Sequence, residues 1–495
     1  MEDRGFSARV PSIFMDPRCF GPWQGLLLGL FGARCRGGGE RVVPRHEHRW
    51  WQNLDSQKTA GSPRVSTARL TVPPNMSLKA MRSRGSGSLL SAVLLVAALA
   101  LPVVAGACFL CCRTDAFLSL LIGRSDMEWA REAERDNSTG HESAEGVVAT
   151  GSGFSVVGQT NSRQPGIQHA WVLHFGHAPP PLWERTYGGP GMLGASGHAI
   201  TALPRGGLVV AGTARGTGGG FWGWLVALSP GGDVLWERTP GEEGAHGFHA
   251  VSVLEDGSVV AGGSQDRVGW VVRVDSRGKL LWDVKLPQLE RVTALVSLPA
   301  QRVAVLGTAE TSTTGLGISR LMLLDSSGWA SWQKQLPVEG KGELAALAPL
   351  PEGGFVATGR LSRPDSSDWS LWVVRMDPRG EILWEHVPED PQVEAGRAIT
   401  VLPDGGIVVA GFSWKEVLVD REAKVWRFSA EGSLLWEKFY GGARNDMGEG
   451  IAHLADDSLV VVGSTLSKGA GKTDVWTFGL SPEGDLLWEE TFGAP

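Results

Sequence analysis

The chain has 495 residues and five cysteines, and none of the five lies beyond residue 112. A disulfide framework is therefore excluded for residues 113–495. That stretch also lacks any sustained 3.6-residue apolar period, which argues against helix. It contains no Gly-x-Ser-x-Gly elbow, no His-Glu-x-x-His and no cysteine pair at zinc spacing. Basic residues are in deficit: residues 114–495 hold 31 Lys+Arg against 47 Asp+Glu, a net charge of −16. Residues 1–113 hold 15 against 6, a net of +9. An acidic body of this kind repels phosphate backbones, so no nucleic-acid partner is expected.

What the sequence does have is a beat. Trp183, Trp236, Trp282, Trp332, Trp384, Trp436 and Trp488 recur at gaps of 53, 46, 50, 52, 52 and 52 residues. Gly158, Gly212, Gly262, Gly307, Gly359, Gly411 and Gly463 keep the same period. Two unrelated residue types locked to one period indicate a repeat architecture. Residues 397–440 show the unit most clearly. They divide into four β-prone runs, Ala398–Leu402, Ile407–Ala410, Lys424–Phe428 and Leu434–Phe439, here named strands A to D. Tight glycine turns join A to B (Pro403-Asp404-Gly405-Gly406) and C to D (Ser429-Ala430-Glu431-Gly432), with glycine supplying the positive φ that such turns demand. Four antiparallel strands per unit of this length predict propeller blades. Residues 141–495 hold seven such units, so the expected fold is all-β, a seven-bladed β-propeller. The strand D tryptophans are expected to fill the wedge between neighbouring blades. A second set twelve residues earlier, Trp171, Trp224, Trp270, Trp372 and Trp476, is expected to pack inside strand C.

Asp275-Ser-Arg-Gly-Lys-Leu-Leu-Trp282 and Asp377-Pro-Arg-Gly-Glu-Ile-Leu-Trp384 resemble the blade motif of pyrroloquinoline-quinone-type propellers, a group that includes quinoprotein dehydrogenases. The pairing of Tyr440-Gly441-Gly442 with a Leu-Pro-Asp-Gly-Gly…Val-Val-Ala-Gly pattern is closer to a second group of Trp-motif propellers. Those are secreted or lipid-anchored bacterial repeat proteins. The resemblance covers about residues 141–495 and speaks to fold far more than to activity. The first group implies a quinone-dependent dehydrogenase with a calcium-type ion, acidic and amide ligands and a catalytic Asp in the ring. That set does not map onto these residues, so no cofactor, no metal and no enzymatic activity are expected.

Upstream of the repeats the chain reads as an address. Residues 85–112 carry no charge, follow Lys79, Arg82 and Arg84, and end their apolar run in Ala105-Gly106-Ala107-Cys108. Residues 76–112 therefore predict a secretory signal or membrane anchor. Cys108 after small residues is similar to a bacterial lipobox and is the predicted lipidation site; simple cleavage or a retained anchor are the alternatives. Residues 1–75 show no period and are read as an upstream extension from a misplaced start. Residues 113–140 are read as a linker, with Phe117 and Trp129 suggesting a degenerate C–D half-unit over 117–130. The expected location is the bacterial envelope, membrane-anchored or else periplasmic or secreted.

Two glycine-rich stretches carry no phosphate chemistry. Gly469-Ala-Gly-Lys472-Thr473 lacks the first glycine of a phosphate loop and runs into β-prone residues, and Gly216–Gly220 has no βαβ surroundings. Recognition is expected instead on the variable B–C and D–A connections, which share one face of a rigid scaffold. The candidate ligand- or partner-binding residues there are Trp414, Asp420, Arg421, Arg163, Asp368, Arg444 and Asp446. His198 and His249 fall at nearly the same place at the start of strand A, where Arg397 and Gly450 stand in other units. They are read as lining a solvated channel mouth, with ligand contact as the alternative. The expected function is a non-enzymatic exported scaffold or interaction module whose partner is an envelope protein or a glycan.

Overall fold

The computed structural model describes residues 140–493 apart from 163–166, 189–191, 242–243, 245, 311–316, 338–339, 364–367, 390–392, 415–420 and 471. The expectations for the extension 1–75, the signal segment with Cys108 and the half-unit 117–130 lie outside the described residues. Among those described, the elements are all strands, and they form seven separate sheets of four consecutive antiparallel strands each. The first strands of successive sheets adjoin one another in a closed circuit, the seventh meeting the first. This is a seven-bladed β-propeller, with strand A innermost and strand D at the rim. No helix among the described residues is long and apolar enough to cross a membrane.

The inner strands are Glu142–Thr150, Met192–Ala202, His246–Val253, Arg291–Leu298, Lys341–Pro349, Glu394–Val401 and Asp446–His453. In the sixth blade, strand A begins at Glu394 rather than Ala398, and strand B runs from Ile407 to Trp414 rather than stopping at Ala410. The added residues lie beyond a β-bulge that interrupts the two-residue alternation, which is why pattern reading stopped short. Strand B is the buried spine of each blade, as Val408, Val409 and Ala410 illustrate at 0% exposure. Strand D faces solvent on one side and leaves a band of exposed leucines around the rim, including Leu182, Leu235, Leu281, Leu383, Leu435 and Leu487.

The repeating tryptophan locks each blade to the next. A methyl group added to Gly232, Gly278, Gly328, Gly380, Gly432 or Gly484 would fall 2.7 to 3.1 Å from the strand D indole of the preceding blade. These six glycines occupy the C–D turns at positive φ, so the indole lies flat against bare turn backbone. Five of the indoles also donate to a turn carbonyl: Trp183 to Pro230 (3.1 Å), Trp236 to Ser276 (3.1 Å), Trp282 to Ser326 (3.0 Å), Trp384 to Ala430 (3.1 Å) and Trp436 to Pro482 (3.3 Å). Tyr187 and Tyr440 reach over the same seams and donate at 2.7 Å to the carbonyls of Gly232 and Gly484.

The strand C tryptophans are core, as expected, with Trp224, Trp270, Trp372 and Trp476 at most 1% exposed. Trp224 and Trp372 donate to Glu237 (2.7 Å) and Glu385 (3.2 Å), each the residue following the strand D tryptophan. In the sixth blade the same place holds Lys424, buried at 1% exposure. Its ammonium takes over the indole's partner, Glu437 (3.0 Å), and adds the buried Glu394 (2.6 Å). The rings of Phe439 and Trp426 lie beside it, at 4.6 and 5.2 Å. A desolvated cation is tolerable only with this degree of compensation.

The seam between the seventh and first blades is built differently. Trp488 has no positive-φ turn glycine to rest on and stacks instead on Phe154 (5.9 Å, 15°), which stacks on Phe175 (4.6 Å, 8°). Backbone adds a clasp: Glu142 N–H donates to Thr473 O (2.8 Å), and the N–H groups of Lys472 and Thr473 donate to Gly140 O (2.8 and 3.1 Å). Beneath it lie two buried carboxylates, Glu142 and Asp474. The Thr160 hydroxyl (3.0 Å) and the Ser162 hydroxyl both donate to Glu142 Oε1, while Oε2 has no hydrogen-bond partner. Burial, with the Asp474 charge added, raises the Glu142 pKa despite these donors.

Two stability measurements check these seams. Gly257 and Gly278 have nearly equal φ, +78° and +77°, but a methyl group at Gly257 would meet nothing within 4 Å. Gly257→Ala should cost about 1 kcal/mol from backbone strain alone. Gly278→Ala should cost at least about 1 kcal/mol more, because the Trp236 ring must move; equal losses in urea unfolding would show that the indole contact contributes nothing. Glu142→Gln keeps the acceptor for Thr160 and Ser162 and removes a charge facing Asp474. It should stabilise the ring by about 1 kcal/mol at neutral pH. Because the folded pKa of Glu142 is raised, the wild type recovers as pH falls below that value, so the advantage should shrink in acid; a variant less stable than wild type at pH 7 would refute the reading.

Candidate functional site

Each inner strand carries a β-bulge at the same place, and that of the second blade has a further one at Leu193. The residue skipped in the A–B pairing is Glu145, His198, His249, Thr293, Ala345, Arg397 or Glu449, in blade order. A bulge leaves one residue without a ladder partner and re-aims its side chain. All seven line one cavity of about 280 Å³ in the central channel, at the strand ends that carry the B–C and D–A connections.

The repeating glycine is the cause. Opposite each bulge, strand B places a glycine whose added methyl would lie 1.8 to 2.5 Å from a strand A carbonyl, that of Ser143, Ser196, Gly247, Arg291, Glu343, Ala395 or Met447. Any side chain there would collide with backbone, so only glycine lets strand A bulge inward. In the third blade this glycine is Gly263, which pairs with Phe248 before the bulge; Gly262, the member of the sequence series, is one place off. For the same reason the seventh-blade equivalent of His198 is Glu449 and not Gly450.

The bulge residues pair around the ring. His198 Nδ1 lies 2.5 Å from Glu145 Oε2, its Nε2 lies 3.2 Å from the Thr213 hydroxyl, and its ring sits 5.3 Å from that of His249. Arg397 Nε donates to Glu449 Oε2 at 2.9 Å. Blades four and five offer only Thr293 and Ala345 as bulges, with the Thr293 hydroxyl donating to Leu344 O at 3.1 Å. On that side the charges come from neighbouring positions: Arg291, and Glu343 paired with Arg360 at 2.8 Å. Burial disfavours protonation of His198, but the charge and hydrogen bond of Glu145 outweigh it, and its pKa rises above 6.5. Among the described residues no three His, Cys, Asp or Glu side chains gather as a metal site would require.

The candidates chosen from sequence fall in different settings. Arg421 reaches the cavity lining; its guanidinium lies over the rings of Trp414 (4.6 Å) and Phe412 (4.9 Å), and it contacts Met447 Sδ at 3.2 Å. Trp414 is thus brought together with Arg421 at the channel mouth. Asp446 is fully buried; it accepts from the Thr465 and Ser467 hydroxyls and the Gly442 N–H. Its oxygens are committed to the blade, as Oε1 of Glu142 is to Thr160 and Ser162. Arg444 is exposed and its N–H donates to Ser467, while Asp368 is half-buried on the connection before strand C. Arg163 and Asp420 lie outside the described residues. Glu145, Thr293, Ala345 and Glu449 were missed, although counting back fourteen residues from the repeating glycine (thirteen in the first blade) finds each of these four; in the third blade the same count from Gly262 gives Phe248, and only Gly263 leads to His249.

The fold and channel define the class, a seven-bladed β-propeller. No protein-family model matches the chain, and no curated protein matches it. Among solved structures it is similar to a protein of unknown function from Bacteroides caccae, at 12% identity and TM-score 0.38, covering 55% of this chain and 90% of that one. It is also similar to the β-propeller domain of the Trilobed protease from Pyrococcus furiosus, at 10% identity and TM-score 0.42, covering 72% and 95%. Sqt1 from Chaetomium thermophilum gives 15% identity and TM-score 0.43, covering 70% and 87%. These likenesses concern fold alone.

The Glu145–His198 pair has a testable pH signature. A raised folded pKa means that its contribution is fully present below the ordinary histidine value of 6.5 and is lost as pH rises through the higher folded value. The stability difference between wild type and His198→Gln should therefore shrink as pH climbs above 6.5. A difference that stays constant from pH 5 to 9, or an NMR titration of His198 with a midpoint below 6.5, would contradict the assignment.

Proposed function

We propose that this protein is a non-enzymatic, exported interaction module of the bacterial envelope that binds its partner on the face formed by the B–C and D–A connections. One observation carries the reading. The same bulge places Glu, His, His, Thr, Ala, Arg and Glu into one cavity, so backbone geometry is held constant while side-chain chemistry changes from blade to blade. A scaffold with constant frame and variable residues is suited to recognition. Arg421 against Trp414 extends that surface outward from the channel, an aromatic–guanidinium pair of the kind enriched at binding hot spots. The partner is an envelope protein or a glycan. The leader and Cys108 complete the reading, with lipidation at Cys108 holding the ring at the membrane.

Capture from solubilised envelope tests both halves. Wild type should retain a defined partner set that Trp414→Ala combined with Arg421→Ala depletes at least tenfold. Cys108→Ser should move the protein from the membrane to the soluble fraction and abolish incorporation of labelled palmitate. Unchanged partners in the double variant would remove the assignment of this face, and a lipid-free wild-type N-terminus would remove the anchor.

A further inference from the structure

The channel cavity has a charge opposite to that of its host. Its lining includes Arg291, Arg360, Arg397 and Arg421 against Glu145, Glu343 and Glu449, with His198 and His249 in addition. Two of the three carboxylates are held by arginine, Glu343 by Arg360 at 2.8 Å and Glu449 by Arg397 at 2.9 Å. The third, Glu145, is held by His198 at 2.5 Å. The four arginines outnumber the three glutamates by one; Arg291 and Arg421 lie outside these three pairs, and Arg421 is set against Trp414 and Phe412, all inside a body of net charge −16 over residues 114–495. Arg291 is the residue to which this excess can be traced. Among the described residues no carboxylate lies within ion-pair distance of it, and it stands two positions before the bulge residue Thr293 in the blade whose bulge brings no charge.

A cation held in a concave, partly desolvated site focuses field and favours a counter-ion there over one on the open acidic surface. Size and charge narrow what that counter-ion is. About 280 Å³ lies at the small end of ligand pockets. An excess of one positive charge, ringed by three glutamates, suits a monoanion and disfavours a phosphate dianion or a polyanion. A guanidinium presents paired N–H donors that match a carboxylate. Beside it the Thr293 and Thr308 hydroxyls and the engaged glutamates offer hydrogen-bond partners to hydroxyl groups on the same molecule.

We propose that the central channel mouth binds a small hydroxylated monocarboxylate, with Arg291 taking the carboxylate. This site deepens the interaction-module reading and rests on it in one respect only, that the channel mouth is a recognition surface. Galacturonate, propionate, galactose and inorganic phosphate are suitable probes for calorimetry with the full chain in low salt. Galacturonate should bind and raise the melting temperature, galactose should fail to do so, and phosphate should bind at least tenfold more weakly than galacturonate. Arg291→Gln keeps hydrogen-bonding capacity and most of the volume, and breaks no ion pair among the described residues. It should leave the ligand-free melting temperature within a degree or two and weaken galacturonate binding at least tenfold. Propionate, a carboxylate without a hydroxyl, separates the two parts of the ligand: binding equal to galacturonate would assign recognition to the carboxylate alone and overturn the hydroxylated class. No carboxylate binding, equal binding by Arg291→Gln, or preference for phosphate or galactose would each overturn the site. The same variant run in the envelope capture keeps the failures distinct, since retained partners without carboxylate binding would sink this proposal and leave the interaction module standing.

Discussion

The contact on which most of the ring depends is an indole lying flat on a glycine that belongs to the next blade. An indole needs a planar surface, and a turn glycine at positive φ is the one piece of backbone that offers it without a Cβ in the way. The turn then stands where it can accept from the indole N–H, so a single geometry satisfies apolar packing and the one polar group of the ring. Six seams use it. Each seam fixes the angle of one blade against its neighbour, and seven equal angles close a circle. The closing seam departs from the rule, because the first blade has no such glycine in its C–D turn. Its substitute is an aromatic stack from Trp488 through Phe154 to Phe175, a backbone clasp between Gly140 and Lys472–Thr473, and two buried acids.

A second glycine does for the channel what the first does for the seams. By leaving room for a strand A carbonyl, it lets the inner strand bulge, and the bulge delivers one side chain per blade to the axis. Frame and site therefore share a cause. A blade cannot lose its strand B glycine without also losing the backbone geometry that presents its channel residue. The consequence is a site whose positions are fixed and whose identities are free to differ. Around the axis they have diverged into an acid–histidine side on blades one to three, a neutral side on blades four and five, and an arginine–acid side on blades six and seven.

Departures from the repeat show which parts of the pattern are packing and which are chemistry. Lys424 replaces a buried tryptophan and keeps its hydrogen bond to the following glutamate, but a charge at that depth required a further acid, and Glu394 supplies it at the first position of the same blade's inner strand. Asp446 occupies the corresponding position one blade on and is consumed by hydroxyl and amide donors. Its exposed-loop appearance in the sequence came from the glycines and asparagine around it. Position along the chain placed it near a variable connection, while the strand's actual start turned it inward.

The sequence by itself determined the number of blades, the four strands in each and the packing role of both tryptophan series, because period and turn chemistry are local and repeat seven times. It also brought His198, His249 and Arg397 to the channel, since their offset from the strand A pattern is visible in the chain. What it left to the tertiary structure was every relation across strands. The bulge is a mismatch between two paired strands, so Gly263 in place of Gly262 could be assigned only once register was known, and register is what gives the constant offset from strand B glycine to Glu449 its meaning. Which acid meets which base depends on blades some fifty residues apart in the chain being neighbours in the ring, a proximity that no spacing within one repeat contains. The positive channel inside an acidic body has the same origin, because net charge is a sum over the sequence, whereas a cavity's charge depends on which few side chains the ring turns inward.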